Sequence, residues 1–161
     1  MGLPGNRSRC VVVTALSLSL GIGPAWADTA IFFATLSGSS EVPPNSSAGT
    51  GTASLVVDTD TLVANYSLAF AGLSGTQTSA HFHHAPPGVI GVVEFPLPVG
   101  SPVSGTWAMT AAQYGELVDG AIYVNVHTSA YPGGEIRGQM ALAQVVGTES
   151  STFGAVKTLF R

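Results

Sequence analysis

Ile122-Tyr123-Val124-Asn125-Val126-His127-Thr128 alternates without a break: Ile122, Val124 and Val126 are apolar, while Tyr123, Asn125 and His127 carry polar groups. Successive side chains of a β-strand point to opposite faces, so this period of two assigns the first set to a core and the second to the other side. The chain around it follows the same grammar. Runs rich in Val, Ile, Thr, Phe and Tyr, broken by Gly, Pro, Ser and Asp, recur at a spacing of roughly ten residues, as in sandwiches and barrels. Strands are predicted near 30–36, 52–57, 62–70, 78–83, 89–95, 105–109, 122–127 and 135–141. The fold is therefore read as all-β, a sandwich or barrel of about eight strands. One segment departs from the pattern. Thr110-Ala111-Ala112-Gln113 has the form of a capping box and Gly120 suits a C-terminal cap, which predicts a short helix over 111–119. Asp58-Thr59-Asp60 suits a tight hairpin, and Pro43-Pro44 keeps the stretch 37–51 out of any central strand.

The composition fits this reading and narrows the function. Of 161 residues, 9% are charged and 45% hydrophobic, with 20 Gly and 10 Pro. An average domain carries about 25% charged residues. The length allows one domain with processed ends. Abundant apolar residues and a net charge of −4 speak against disorder. Five Lys plus Arg are too few for a phosphate-neutralising nucleic-acid surface.

Residues 1–27 read as a cleaved secretory signal peptide. Arg7 and Arg9 form the positive start, Val11 to Gly23 the apolar stretch, and Ala25-Trp26-Ala27 the cleavage pattern. The apolar stretch is short of the ~20 residues of a spanning helix, and no other stretch approaches that length. The mature chain is expected to be secreted or periplasmic, without a membrane span, with a domain over 28–141. Residues 142–161 are left as a C-terminal strand or a flexible tail. Cleavage removes Cys10, the only cysteine, so neither a disulfide nor a thiolate metal site is available. It also leaves Arg137 as the only Lys or Arg between Asp28 and Gly147.

All four histidines sit in two motifs, Ala80-His81-Phe82-His83-His84 and the strand ending at His127. His81 and His83 share one strand face, with Phe82 pointed to the core. His127 shares its face with Tyr123 and Asn125. If the two strands are neighbours, three imidazoles converge, and nitrogen ligands without thiolates suit copper or zinc. A closed structural zinc site takes four ligands, which makes zinc the weaker candidate. His84 adds a fourth imidazole only if the chain turns after it. The alternative is that these histidines hydrogen-bond loop backbone and fix the end of the sheet. In Glu135-Ile136-Arg137-Gly138-Gln139-Met140, Ile136 and Met140 are expected in the core, and Glu135, Arg137 and Gln139 outward on the histidine face. Arg137 is read either as an ion-pair partner of Glu135 or as an anion guide beside the metal. Glu94 and Glu116 read as isolated, Glu94 as a solvent-facing strand residue, and Trp107 and Tyr114 as packing residues.

Glu41-Val42-Pro43-Pro44, Ala80-His81-Phe82-His83, the run from Gly120 to Thr128, and Pro132-Gly133-Gly134-Glu135-Ile136-Arg137-Gly138-Gln139 together resemble the CHRD domain, over about residues 31–141. The domain is found in chordin and in secreted bacterial proteins. It is also distantly similar to copper/zinc superoxide dismutase, which implies a Greek-key, superoxide-dismutase-like barrel. By that resemblance His81 and His83 match the copper-binding His-x-His pair, His127 the later histidine, and Arg137 the arginine that steers the anionic substrate. The dismutase's bridging histidine, its zinc-loop histidines and its cysteine pair have no counterpart, so the resemblance implies copper alone. Three functions follow as expectations. The first is a secreted binding module holding one copper ion, with an extracellular or envelope protein as a further partner. The second is a copper-dependent dismutase-like enzyme in which Arg137 is catalytic, and the third a metal-free adhesion domain.

Overall fold

The computed structural model describes residues 28–147, so the predicted leader and residues 148–161 of the predicted tail lie outside the described residues. Among the described residues the chain forms nine strands and one α-helix. They run β1 (Thr29–Ser37), β2 (Thr50–Asp58), β3 (Val63–Ala71), β4 (Gln77–His84), β5 (Val92–Leu97), β6 (Val103–Ala108), α1 (Ala111–Val118), β7 (Ile122–Thr128), β8 (Ile136–Gln139) and β9 (Ala141–Val146). Pairing is antiparallel in the order β5-β4-β7-β8-β1-β2-β3-β6, with β9 also on β1. The neighbours β3/β6 and β4/β7 are distant in sequence, which gives the sheet its long Greek-key crossovers. Among the described residues no helix is long and apolar enough to cross a membrane.

Alternation builds the core. Phe32, Ala34 and Leu36 of β1, Ala53, Leu55 and Val57 of β2, and Val124 and Val126 of β7 are all buried on one face. The path of paired strands ends at β5 and β6, and aromatic side chains fill the seam between them. Trp107 of β6 stacks on Phe95 of β5 at 5.1 Å and on Phe82 of β4 at 5.4 Å. Tyr66 meets Phe82 and Phe95 edge-on at 6.3 and 5.9 Å, one of the favoured aromatic arrangements. Helix α1 closes one end of the core with Leu117 and Tyr114. The predicted capping box is present in both directions: Thr110 Oγ1 accepts from Gln113 N, and Gln113 Oε1 accepts from Thr110 N. The β2–β3 hairpin is closed by Asp58, whose Oδ1 accepts from Asp60 N and Thr61 N at 3.0 and 2.9 Å.

The predicted strand 135–141 is two strands. β8 pairs with β7, then Met140 donates its N–H to Ile122 O at 2.9 Å, and β9 continues along Thr29–Phe33 of β1. The chain thus parts from β7 at Met140 while staying beside β1, which β8 already pairs at Ser37 and Arg137, and the first part of the tail is a strand. Gly138 makes the close approach possible, because a Cβ there would lie 2.6 Å from Thr35 O. Glu135, expected to face outward, is fully buried. It precedes β8, so strand alternation does not govern it, and its carboxylate instead ties three segments together. Ser47 Oγ donates at 2.6 Å, Ser74 N at 2.5 Å and Thr128 Oγ1 at 2.6 Å. Burial alone would raise its pKa, but these donors outweigh burial and hold the carboxyl below its ordinary value.

Replacing Glu135 by Ala leaves three donors without their acceptor. The expected cost is about 3 kcal/mol or more, read by urea unfolding. A loss under about 1 kcal/mol would show that the three segments are held by other contacts.

Candidate metal centre

The register between β4 and β7 sets the outer face of the sheet. Ser79 pairs with His127, His81 with Asn125 and His83 with Tyr123. β8 extends the rows, with Arg137 beside Asn125 and Gln139 beside Tyr123. Phe82, Val124 and Val126 occupy the core face, as alternation predicts. The outer face is nevertheless not open, because the loops 38–49 and 85–91 lie over it. Arg137 Nη1 donates to Val89 O at 2.8 Å, and Gly91 N donates to the Tyr123 hydroxyl at 3.1 Å. Tyr123, Asn125, His83 and Arg137 are consequently buried.

His81, His83 and His127 come together there. Their ring centroids lie 5.1 Å (81–127), 5.4 Å (81–83) and 6.2 Å (83–127) apart. One ring nitrogen from each falls within 4.8 Å of the others. Two of the tautomers follow from their partners. His83 Nδ1 is 3.2 Å from Gly91 O and His127 Nδ1 is 2.9 Å from Pro132 O. A carbonyl only accepts, so both Nδ1 atoms carry the proton and both Nε2 atoms present a lone pair. Those Nε2 atoms, together with His81 Nδ1, are buried without a hydrogen-bond partner. Buried polar atoms are normally satisfied, and two imidazoles that present lone pairs beside a third with an unpartnered ring nitrogen are what a nitrogen-ligated metal requires. Burial, then the neighbouring His127 and His83, lowers the pKa of His81. Burial is also the main cause lowering that of His83, against the opposing bond to Gly91. Neutral imidazoles are the metal-binding form.

His84 is not part of this cluster. β4 continues through it, so its side chain lies on the other face, with Nδ1 3.5 Å from Glu116 Oε1.

Arg137 forms no ion pair with Glu135. Glu135 is engaged elsewhere, and the guanidinium instead sits 3.5 Å over the Tyr123 ring. His83 stacks on the same ring at 4.8 Å and 6°. A guanidinium centred on one face excludes a stacked imidazole from that face, so Tyr123 is sandwiched between the two. Arg137 Nη2 also donates to Gln139 Oε1 at 3.3 Å. Glu41 completes the surroundings and was not singled out by the sequence as a site residue, because it lies in a proline loop without periodicity. Glu41, Val42, Pro87 and Arg137 line a cleft of about 470 Å³ between the two loops. Glu41 is only 6% exposed, and its Oε1 has no hydrogen-bond partner. Gly134, at φ +132°, gives it room, since a Cβ there would lie 2.6 Å from that oxygen.

Compared with known proteins, the chain matches the family model described as the CHRD domain over residues 32–140, more than half of its length. Neither the curated proteins nor the solved structures contain a match.

Burial pushes the pKa of Glu41 from its ordinary 4.5 up to about 7, against the opposing charge of Arg137 and the bond from the Val42 backbone. The folded state therefore holds this proton more tightly than the unfolded chain. The stability it contributes is complete below the unfolded value and is lost as pH rises through the folded one. Glu41→Gln is expected to gain stability relative to the parent between about pH 5 and about pH 8 in metal-free protein. Parallel stability profiles for the two proteins would disprove this titration.

Proposed function

This chain belongs to the CHRD family of extracellular binding modules, and we propose that it works as such a module by holding one copper ion through His81, His83 and His127. The observation that carries the reading is the trio of buried ring nitrogens without hydrogen-bond partners. The backbone does the positioning. Gly91 O and Pro132 O keep the protons of His83 and His127 on Nδ1 and so aim both Nε2 atoms inward. Such partners fix ring orientation and strengthen ligation. The Tyr123 ring, backed by Arg137, braces His83 from the side. These ring nitrogens lie out of reach of bulk water. Bound copper would supply one-electron chemistry and an open coordination position. Three imidazoles without a fourth protein ligand favour copper over a closed zinc site. The leader read from residues 1–27 agrees with delivery to an oxidising compartment, where the partner is an extracellular or envelope protein.

A dismutase-like enzyme has less support. Arg137 is 3% exposed and gives two of its five N–H groups to Val89 O and Gln139 Oε1, so burial limits its reach toward an anion. A metal-free adhesion role would leave the three orphaned nitrogens without a purpose.

Untagged protein is expected to carry one copper per chain by metal analysis, and His81→Ala or His127→Ala to lose it. Stoichiometric copper retained in both variants, or none bound by the parent, would overturn the assignment. Protons compete with the metal for imidazole, so copper should be released well below the ~6.5 of an ordinary histidine. If the copper-loaded parent and Arg137→Ala both show background superoxide dismutation, the enzyme reading ends.

A further inference from the structure

His84, Glu94 and Glu116 converge on the opposite face of β4 from the three-histidine cluster. One ligand atom from each lies within 4.8 Å of the others. They come from three elements: His84 ends β4, Glu94 lies in β5 and Glu116 in α1. The backbone brings Glu94 there by an irregularity. β4 and β5 pair Phe82 with Phe95 and then His83 with Val93, so Glu94 is the extra residue of a β-bulge. Bulges re-aim a side chain and are enriched beside functional sites. This one turns Glu94 to the helix, where its Oε2 accepts from Gln113 Nε2 at 2.8 Å.

Two carboxylates so close repel each other unless something positive lies between them. Among the described residues the only Lys or Arg is Arg137, which is engaged on the outer face. A protonated His84 would balance one carboxylate and leave the other. The second oxygen of Glu116 is also buried without a hydrogen-bond partner. An ion pair that only pins the helix would not need to bury it.

We propose that His84, Glu94 and Glu116 form a second metal site, which takes a divalent ion of zinc type. One imidazole and two carboxylates give the mixed nitrogen and oxygen donor set of three protein ligands that zinc accepts with one position left to water. The softer all-imidazole set on the other face suits copper, so the two sites differ in the metal they select. Tying β4, β5 and α1 to one ion would also lock the helix over the end of the core.

The test uses the full chain with His81→Ala and His127→Ala, which disables the first cluster and keeps the two assignments separable. Metal-free protein of this background is expected to bind one zinc per chain in equilibrium dialysis and to melt at a higher temperature with zinc present. Adding Glu116→Gln, or Glu94→Gln with Glu116→Gln, should weaken zinc binding at least about tenfold, since even outer-shell changes cost about 10–100-fold. Both should also abolish the zinc-dependent rise in melting temperature. The metal-free melting temperature is the folding control. Relief of carboxylate repulsion predicts that it stays or rises in the amide variants, whereas a purely structural ion pair predicts a fall. No zinc retained by the double-alanine background, or retention unchanged by the amide variants, overturns the proposal.

Discussion

The pairing of β4 with β7 is the constraint on which the rest hangs. It sets Phe82 against Val124 and Ala80 against Val126 in the core, and by the same register it sets His81 beside Asn125 and His83 beside Tyr123 outside. A slip of one residue would exchange the two faces completely. Core packing and the histidine cluster therefore share one determinant, and the energy of burying the aromatic slab around Trp107 also holds the imidazoles in position. The covering loops add what strands cannot provide. Gly91 O in the loop 85–91 and Pro132 O in the turn between β7 and β8 choose the tautomers.

What could be read in advance was whatever obeys a local period. The strands, the convergence of His81, His83 and His127, the inward Phe82 and the capped helix all follow from alternation or from cap chemistry. The misreadings share a cause of another kind. Period two stops at the strand boundary, so alternation places Glu135, one residue before β8, in the wrong environment. It also fails across the bulge that turns Glu94 toward the helix. Alternation separates two faces without saying what lies over either, and so the closure of the outer face by loops, with Glu41 inside, was not legible. Nor does a strand pattern name its neighbours, which hid the parting from β7 at Met140.

Scarcity of positive charge explains how the acids are treated. A chain rich in lysine would pair its buried carboxylates with ammonium groups. Here hydroxyl and amide donors hold Glu135 below its ordinary pKa, and burial pushes that of Glu41 up to about 7. Glu94 turns to Gln113 and Glu116 to His84. Each is a different way of holding a carboxyl group in a fold with Arg137 as the one Lys or Arg among the described residues. Arg137 is thereby freed for its place against Tyr123.

The parting from β7 at Met140 bears on where this domain can be cut. Similarity to the family stops at residue 140, one position before β9 begins. A chain ended there would keep every histidine of the cluster and lose the strand that covers Thr29–Phe33. The bare backbone groups along that part of β1, next to an already half-exposed Phe33, would offer a template for a strand from another molecule. The stretch that resembles its relatives and the stretch that shields its own sheet edge are therefore of different lengths, and only the longer one guards against self-association.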